Sequence, residues 1–209
     1  MPANSPGKLL VSLFREVEEM KGIRFSFVHV WRALMLISRE KPLGRKRLSL
    51  LLGVGEGSTR TILKILRKHN LIRVTRGGIF LTRTGEQLVK QMPIKVEKVE
   101  PSRLTVASKN VAVLVKGVAH KVRYGIEQRD HAVRAGAKGA TTIVVKAGKL
   151  VVPGITNDLE KDDPKLAREL VLTFKPEDGD VIIVSGADDY VKAEEGGFMA
   201  AYELVKVEK

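Results

Sequence analysis

Apolar residues recur at helical spacing through the first part of the chain. The pattern predicts four helices, over KLLVSLFREVEEM, FVHVWRALMLISREK, GRKRLSLLLG and GSTRTILKILRKHN. Ser26 is the predicted N-cap of the second helix, and Gly53 closes the third. In the fourth helix one face is apolar, so its basic and hydroxyl residues face outward; the apolar residues are Thr59, Ile62, Leu63 and Leu66.

A predicted hairpin follows the fourth helix. The runs LIRVT and IFLT are rich in strand-forming residues and flank Gly77-Gly78, a dipeptide suited to the positive-φ positions of a tight turn. The sequence TGEQLVKQM then predicts a further short helix before Pro93. The first helix, over 8–20, has an apolar stripe that is either a dimer contact or packs on its own domain.

The pattern changes after Pro93 to alternating strands and helices. Strands are predicted over IKVEKVE, NVAVLVKG, TTIVV, KLVVP and GDVIIVSG, with a hairpin turn at Ala147-Gly148. Helices are predicted over RYGIEQRDHAVRAGA, DPKLARELVLTF and DDYVKAEEGGFMAAYELV, and the acidic segment 157–163 is predicted to be a solvated loop. The fold class is therefore α+β, with an N-terminal domain over 1–92 and a sandwich-like α/β domain over 93–209.

Positive charge is concentrated in the first domain. Residues 1–91 contain 18 lysines and arginines, six glutamates and no aspartate, a net charge of +12, whereas the rest of the chain carries +1. A basic excess confined to one module indicates a polyanionic partner for that module. Nucleic acid is the expected partner.

Composition also excludes several classes of protein. The chain has no cysteine, so disulfides, thiolate metal sites and cysteine nucleophiles are excluded. It has no apolar run long enough for a membrane span and no signal-peptide pattern. We expect a soluble cytoplasmic protein with no membrane partner, no metal and no cofactor.

The order of elements in 26–91 resembles that of winged helix-turn-helix transcription regulators. A short helix, a turn around Val54-Gly55, a second helix and a hairpin follow one another, and LIRVTRGGIFLTRTGEQLV is similar to the wing and following helix of those regulators. Asn70 stands where that family usually has glycine, and a left-handed helix end tolerates asparagine. The resemblance implies that the helix over 57–70 enters the major groove of double-stranded DNA.

This placement predicts the DNA-binding residues. Small residues at the start of the helix allow close approach of the backbone, arginines and lysines one turn apart reach base edges or phosphates, and further cations flank them. The predicted set is Arg45, Lys46, Arg47, Ser58, Arg60, Thr61, Lys64, Arg67, Arg73, Arg76 and Arg83.

The near-neutral second domain is predicted to bind a small-molecule effector or to mediate homodimerisation. Its combination with the winged helix resembles an uncharacterised archaeal family of proposed regulators, a resemblance that supplies no ligand and no catalytic residue. Strand-to-helix junctions are the usual ligand crevices of α/β sheets, so the predicted pocket residues are Gly117, His120, Arg123, Gly186 and Asp188.

Two alternatives remain open. An RNA-associated factor would have a similar charge distribution, although Phe14, Phe25, Phe27 and Trp31 lie in apolar helical patterns that indicate core positions rather than a stacking surface. An enzyme recruited to nucleic acid is the second alternative. Its candidate residues are His120, Asp130 and His131, but adjacent helical positions diverge by about 100°, which disfavours a shared metal. We expect no catalytic activity.

Overall fold

The computed structural model describes residues 6–91 and 94–205, with the side chains of 8–90 and 94–205. These residues separate into two compact units, over 6–91 and 94–205. In the described residues no helix is long and apolar enough to cross a membrane.

The N-terminal unit consists of five helices and a two-stranded hairpin. In chain order these are α1 (Pro6–Glu19), α2 (Phe27–Arg39), α3 (Arg45–Leu52), α4 (Glu56–Lys68), β1 (Ile72–Thr75), β2 (Gly78–Leu81) and α5 (Arg83–Gln91). The succession from α2 to α5 is that of a winged helix-turn-helix domain, as the sequence predicts.

The apolar side of α1 lies in the core of its own unit. Leu10 and Leu13 are each 1% exposed, and α1 packs against α2 and α5. Phe14 contacts Phe27 of α2 edge to face, with ring centroids 5.3 Å apart. The apolar stripe is therefore not available as a dimer contact, because burial within the unit occupies it.

Polar contacts fix α1 to the end of α4. The Glu16 carboxylate lies 2.6 Å from Nε2 of His69 and accepts a hydrogen bond of 3.0 Å from Nζ of Lys68. Partial burial raises the pKa of Glu16, but the hydrogen bonds with His69 and Lys68 and their charges outweigh burial and lower the pKa below its ordinary value of 4.5.

Local sequence signals mark where the helices begin and end, as predicted. Ser26 is the N-cap of α2, where its backbone N–H donates to Nδ1 of His29 at 3.1 Å. Gly53 ends α3 with φ of 70°, and Asn70 follows α4 with φ of 54°. Both lie in the left-handed region, so Asn70 takes the conformation that glycine usually has at such helix ends.

The wing turns one residue earlier than the sequence suggests. Thr75 pairs with Gly78, so the two turn residues are Arg76 and Gly77 rather than Gly77 and Gly78. Gly78 is the first residue of β2, with φ of 130°, and a Cβ there would lie 2.9 Å from Cβ of Pro42. The chain before α3 thus fixes the register of the hairpin, and it places Arg76 in the turn.

Thr82 and Gly85, which follow the wing hairpin β1-β2, each have a structural role. Thr82 donates to the carbonyl of Asn70 at 2.6 Å and accepts from the N–H of Gly85 at 3.1 Å, which caps the start of α5. A Cβ on Gly85 would lie 2.0 Å from the carbonyl oxygen of Leu71. Only glycine allows α5 to approach the chain between α4 and β1 this closely.

The C-terminal unit is a five-stranded sheet with helices. Its elements are β3 (Ile94–Val99), β4 (Lys109–Val115), a 3₁₀ turn (Ala119–Lys121), α6 (Ile126–Arg134), β5 (Gly139–Lys146), β6 (Lys149–Val151), α7 (Leu159–Asp162), α8 (Pro164–Phe174), β7 (Val181–Ala187) and α9 (Tyr190–Val205). The strand order is β3-β4-β7-β5-β6, and every neighbouring pair is antiparallel.

Helices cover both faces of this sheet. Leu159, Leu166 and Phe174 from α7 and α8 pack against Ile182 and other side chains of one face, whereas α6 and α9 pack on the other face. The sandwich-like prediction is confirmed. The segment 157–163 is an exception to the sequence prediction, because it contains α7 and ends in Asp163, whose carboxylate caps α8 by accepting from the N–H of Leu166 at 3.1 Å.

Candidate nucleic-acid interface

The buried side of α4 determines which of its residues face outward. Ile62 and Leu66 are fully buried and Leu63 nearly so. Arg60, Lys64 and Arg67 lie on the opposite side and are exposed. The i, i+3, i+4 pattern of the apolar residues is therefore the reason that these three cations form a row along one side of the helix.

The start of α3 adds two more cations. Gly44 is the N-cap of α3, and Arg45 and Lys46 follow in its first turn, both exposed. Leu48 and Leu52 anchor the helix in the core. Cations at a helix N-terminus oppose the helix dipole, which costs a few tenths of a kcal/mol or more each, and a nearby anion would offset that cost.

Together α3, α4 and the wing enclose an open groove of about 1060 Å³. We call it the basic groove. It is lined by Gly44, Arg45, Lys46, Glu56, Arg60, Leu63, Lys64, Arg67, Lys68, Val74, Thr75, Arg76, Gly78 and Ile79. Seven of these side chains are cationic and one is a carboxylate.

Most of these cations are unpaired. Within the described part of the chain, no hydrogen bond or ion pair joins an acidic side chain to the following six: Arg45, Lys46, Arg60, Lys64, Arg67 and Arg76. Lys68 differs, because Glu16 neutralises it. Unpaired cations on a concave surface add their potentials, so the groove carries a positive potential.

Six of the eleven predicted DNA-binding residues line the basic groove, and five lie elsewhere. Arg47 points to α2, where its Nε donates to Glu40 at 2.7 Å, and that hydrogen bond raises the pKa of Arg47. Thr61 donates its hydroxyl to the carbonyl of Gly57 at 3.2 Å. Ser58 is half-buried and outside the groove lining.

The remaining two lie on or after the wing. Arg73 alternates with Val74 along β1 and so occupies the other face of the hairpin, where its guanidinium lies 4.9 Å from the centroid of the Phe80 ring. Arg83 is exposed at the start of α5 and does not line the groove.

Eight of the fourteen groove residues lie outside the predicted DNA-binding set, and three of them affect the chemistry of the groove. Lys68 belongs to the same basic run as Arg67, so the charge pattern alone suggests it. Val74 is half exposed and faces the groove beside Ile79, a placement that depends on the strand register. Glu56 is the first residue of α4, a position where acidic residues are common because they interact favourably with the helix dipole. Its sequence position therefore gave no indication that it lines the groove.

The C-terminal unit does not bring its five predicted pocket residues together. Gly186 pairs with Asn110 at the start of β4, whereas Gly117 follows the end of β4, together with His120 and Arg123. The two groups are separated by the part of β4 from Asn110 to Val115, five steps or about 17 Å at 3.4 Å per residue. The crevice rule requires parallel strands whose carboxyl ends meet, and this sheet is antiparallel.

Two of the candidate polar residues of this unit, Asp188 and His131, have structural partners. Asp188 forms an ion pair with Lys138, and the cap of α9 is the next residue, Asp189, which accepts from the N–H of Lys192 at 2.9 Å. His131 lies 3.7 Å from a carboxylate oxygen of Glu203. In the described ranges no three acidic or histidine side chains are grouped so as to hold a metal ion.

Comparison with known proteins identifies the family. Residues 32–87 match the model described as "PH0730-like, N-terminal domain", and residues 106–204 match "Domain of unknown function (DUF4443)". Comparison with curated proteins gives no match. Among solved structures, the chain is similar to "Hypothetical protein PH0730 from Pyrococcus horikoshii OT3", with 31% identity and a TM-score of 0.69, over 87% of this chain and 93% of that one. The chain therefore belongs to the PH0730-like family.

Proposed function

We propose that this protein is a DNA-binding transcription regulator whose winged helix reads duplex DNA. One observation carries the proposal: the groove between α3, α4 and the wing contains six cations that have no acidic partner in the described part of the chain. In this mode of binding α4 lies in the major groove, and Arg45 and Lys46 contact the phosphate backbone beside it.

Charge supplies most of the affinity in such an interface. Each cation that neutralises a phosphate releases condensed counterions, and log K falls with log salt by about 0.9 per contact on duplex DNA. Six contacts give a slope of about −5. Arg60 is the preferred base reader, since two of the five N–H donors of a guanidinium can bind O6 and N7 of guanine together.

The C-terminal unit is assigned to effector binding or dimerisation. Several large apolar side chains are exposed on it, including Tyr124, Ile155 and Leu172, at 70%, 68% and 71%. These side chains are available for contact with a ligand or a second copy. A homodimer would bind an inverted repeat, with half-sites about one helical turn apart or a multiple of that distance. The proposal includes no catalysis and no cofactor.

A salt titration on random duplex DNA and on structured RNA of equal length tests this function. Preference for the duplex, a slope near −5 and recovery of a defined site from a randomised library are the expected results. Equal affinity for both nucleic acids with no selected DNA site would instead support an RNA-associated role. A metabolite that raises the melting temperature supports the effector assignment, and turnover of that metabolite would contradict the absence of catalysis.

A further inference from the structure

The basic groove contains one carboxylate, and its position is unexpected for a surface that binds phosphates. Glu56 lines the groove one helical turn before Arg60 and two before Lys64. It is exposed, and no other side chain in the described residues forms a hydrogen bond or ion pair with it. Its charge opposes the potential of the seven cations around it.

This position disfavours a phosphate at the start of α4. A carboxylate repels a phosphate, so Glu56 weakens sequence-independent binding to the backbone. The first turn of a recognition helix is also the part that meets base edges in helix-turn-helix complexes. A carboxylate in this turn is therefore better suited to a base than to the backbone.

The chemistry of the carboxylate determines which base it accepts. An ionised carboxylate only accepts hydrogen bonds, and in the major groove guanine and thymine present acceptors at O6, N7 and O4. Adenine has a donor at N6, but its acceptor N7 lies beside it. Cytosine presents the N4 amino group with no acceptor on its own major-groove edge, whereas adenine N6 is flanked by acceptors on both sides. Cytosine is thus the base that Glu56 fits.

We propose that Glu56 is a specificity-determining residue that accepts a hydrogen bond from N4 of a cytosine, while Arg60 donates to a guanine in the same half-site. The proposal rests on the proposed DNA-binding function. In this arrangement the cations of the groove attract the phosphates of DNA, and the carboxylate disfavours guanine and thymine at one position.

Selection from a randomised duplex library tests the assignment, with the full chain and three variants. The wild type is expected to select cytosine at one position by about fivefold or more over guanine and thymine, the usual cost of one mismatch. Glu56→Ala should lose the preference at that position alone and should bind random duplex several-fold more tightly. Glu56→Gln should shift the preference toward adenine, since glutamine pairs with N6 and N7.

Glu18→Ala is the matched control. Glu18 is exposed on α1, lies outside the basic groove and has the same charge, so its loss should leave both the selected sequence and the affinity for random duplex unchanged. Thermal unfolding of each variant verifies the fold, and Glu56→Gln preserves the size of the side chain.

The outcomes separate this inference from the function on which it rests. Sequence preferences of Glu56→Ala that equal those of the wild type at every position would overturn the role of Glu56, with DNA binding intact. Random-duplex affinity that does not rise in Glu56→Ala would overturn it as well. A wild-type protein with no affinity for duplex DNA would overturn the proposed function and this inference together.

Discussion

Neutralising Arg60 and Lys64 tests the electrostatic argument most directly. Both side chains are exposed, line the basic groove and lie outside the buried stripe of α4, so Arg60→Gln/Lys64→Gln should fold normally. On a random duplex Arg60 has no selected guanine to read, so all six cations are counted as phosphate contacts. Six contacts predict a slope of about −5.4 in log K against log salt, and four predict about −3.6. Between 0.05 and 0.2 M salt, the wild type should lose about 2000-fold in affinity and the variant about 150-fold.

Fluorescence anisotropy on a labelled random duplex measures both slopes. Lys21→Gln/Arg24→Gln is the matched control, because these exposed cations of the same unit lie outside the groove and should leave the slope unchanged. The charge-reversed pair Arg60→Glu/Lys64→Glu should abolish binding. A slope that stays at the wild-type value in the Gln pair, or that falls equally in the control, refutes the assignment of phosphate binding to this groove.

Two further predictions concern stability. Glu16→Gln should cost about 1 kcal/mol at pH 7 in urea unfolding; because the pKa of Glu16 is lowered in the folded state, this difference should shrink as the pH falls below about 4.5 and the wild-type carboxylate is protonated too. A constant difference from pH 7 to pH 3 would show that the contact with His69 contributes nothing through charge. Gly85→Ala should destabilise the N-terminal unit by about 2 kcal/mol or more, because the new methyl group would clash with the Leu71 carbonyl. Gly57→Ala is the matched control: open space surrounds Gly57, so this substitution should stabilise α4 by up to about 1 kcal/mol. Equal effects of the two substitutions on the melting temperature would contradict the clash at Gly85.

Elements with strong local signals could be predicted from the sequence. The stripe Ile62, Leu63 and Leu66 defines both the existence of α4 and its outward side, because burial of one face requires that spacing. The Ala147-Gly148 turn is likewise predictable, since both residues take positive φ of 52° and 71° in a two-residue hairpin. In these cases the information lies within a few residues of the element.

Features set by distant residues could not be predicted. The wing turn at Arg76-Gly77 depends on the approach of Pro42 to Gly78, some 36 positions away. The antiparallel direction of the strands could not be predicted either. The strands β4 and β7 are buried on both faces, and such apolar runs look alike in parallel and antiparallel sheets. This topology is also the reason that the five residues of the predicted pocket do not lie together.

Tertiary structure also determines which cations are paired with acids and which remain unpaired. The net positive charge of the N-terminal unit is therefore concentrated in one part of its surface. Arg45, Lys46 and Arg47 are consecutive and chemically similar, yet Glu40 pairs only with Arg47 and leaves the other two to the groove. In the same way Glu86 pairs with Lys41, which does not line the groove. Two of the six glutamates of 1–91 thus neutralise cations away from the groove, Glu16 neutralises Lys68 in its lining, and Glu56 is the one glutamate that lines the groove itself. This distribution of acids fits the proposed function, in which free cations attract phosphates and one carboxylate contributes to selection of a base.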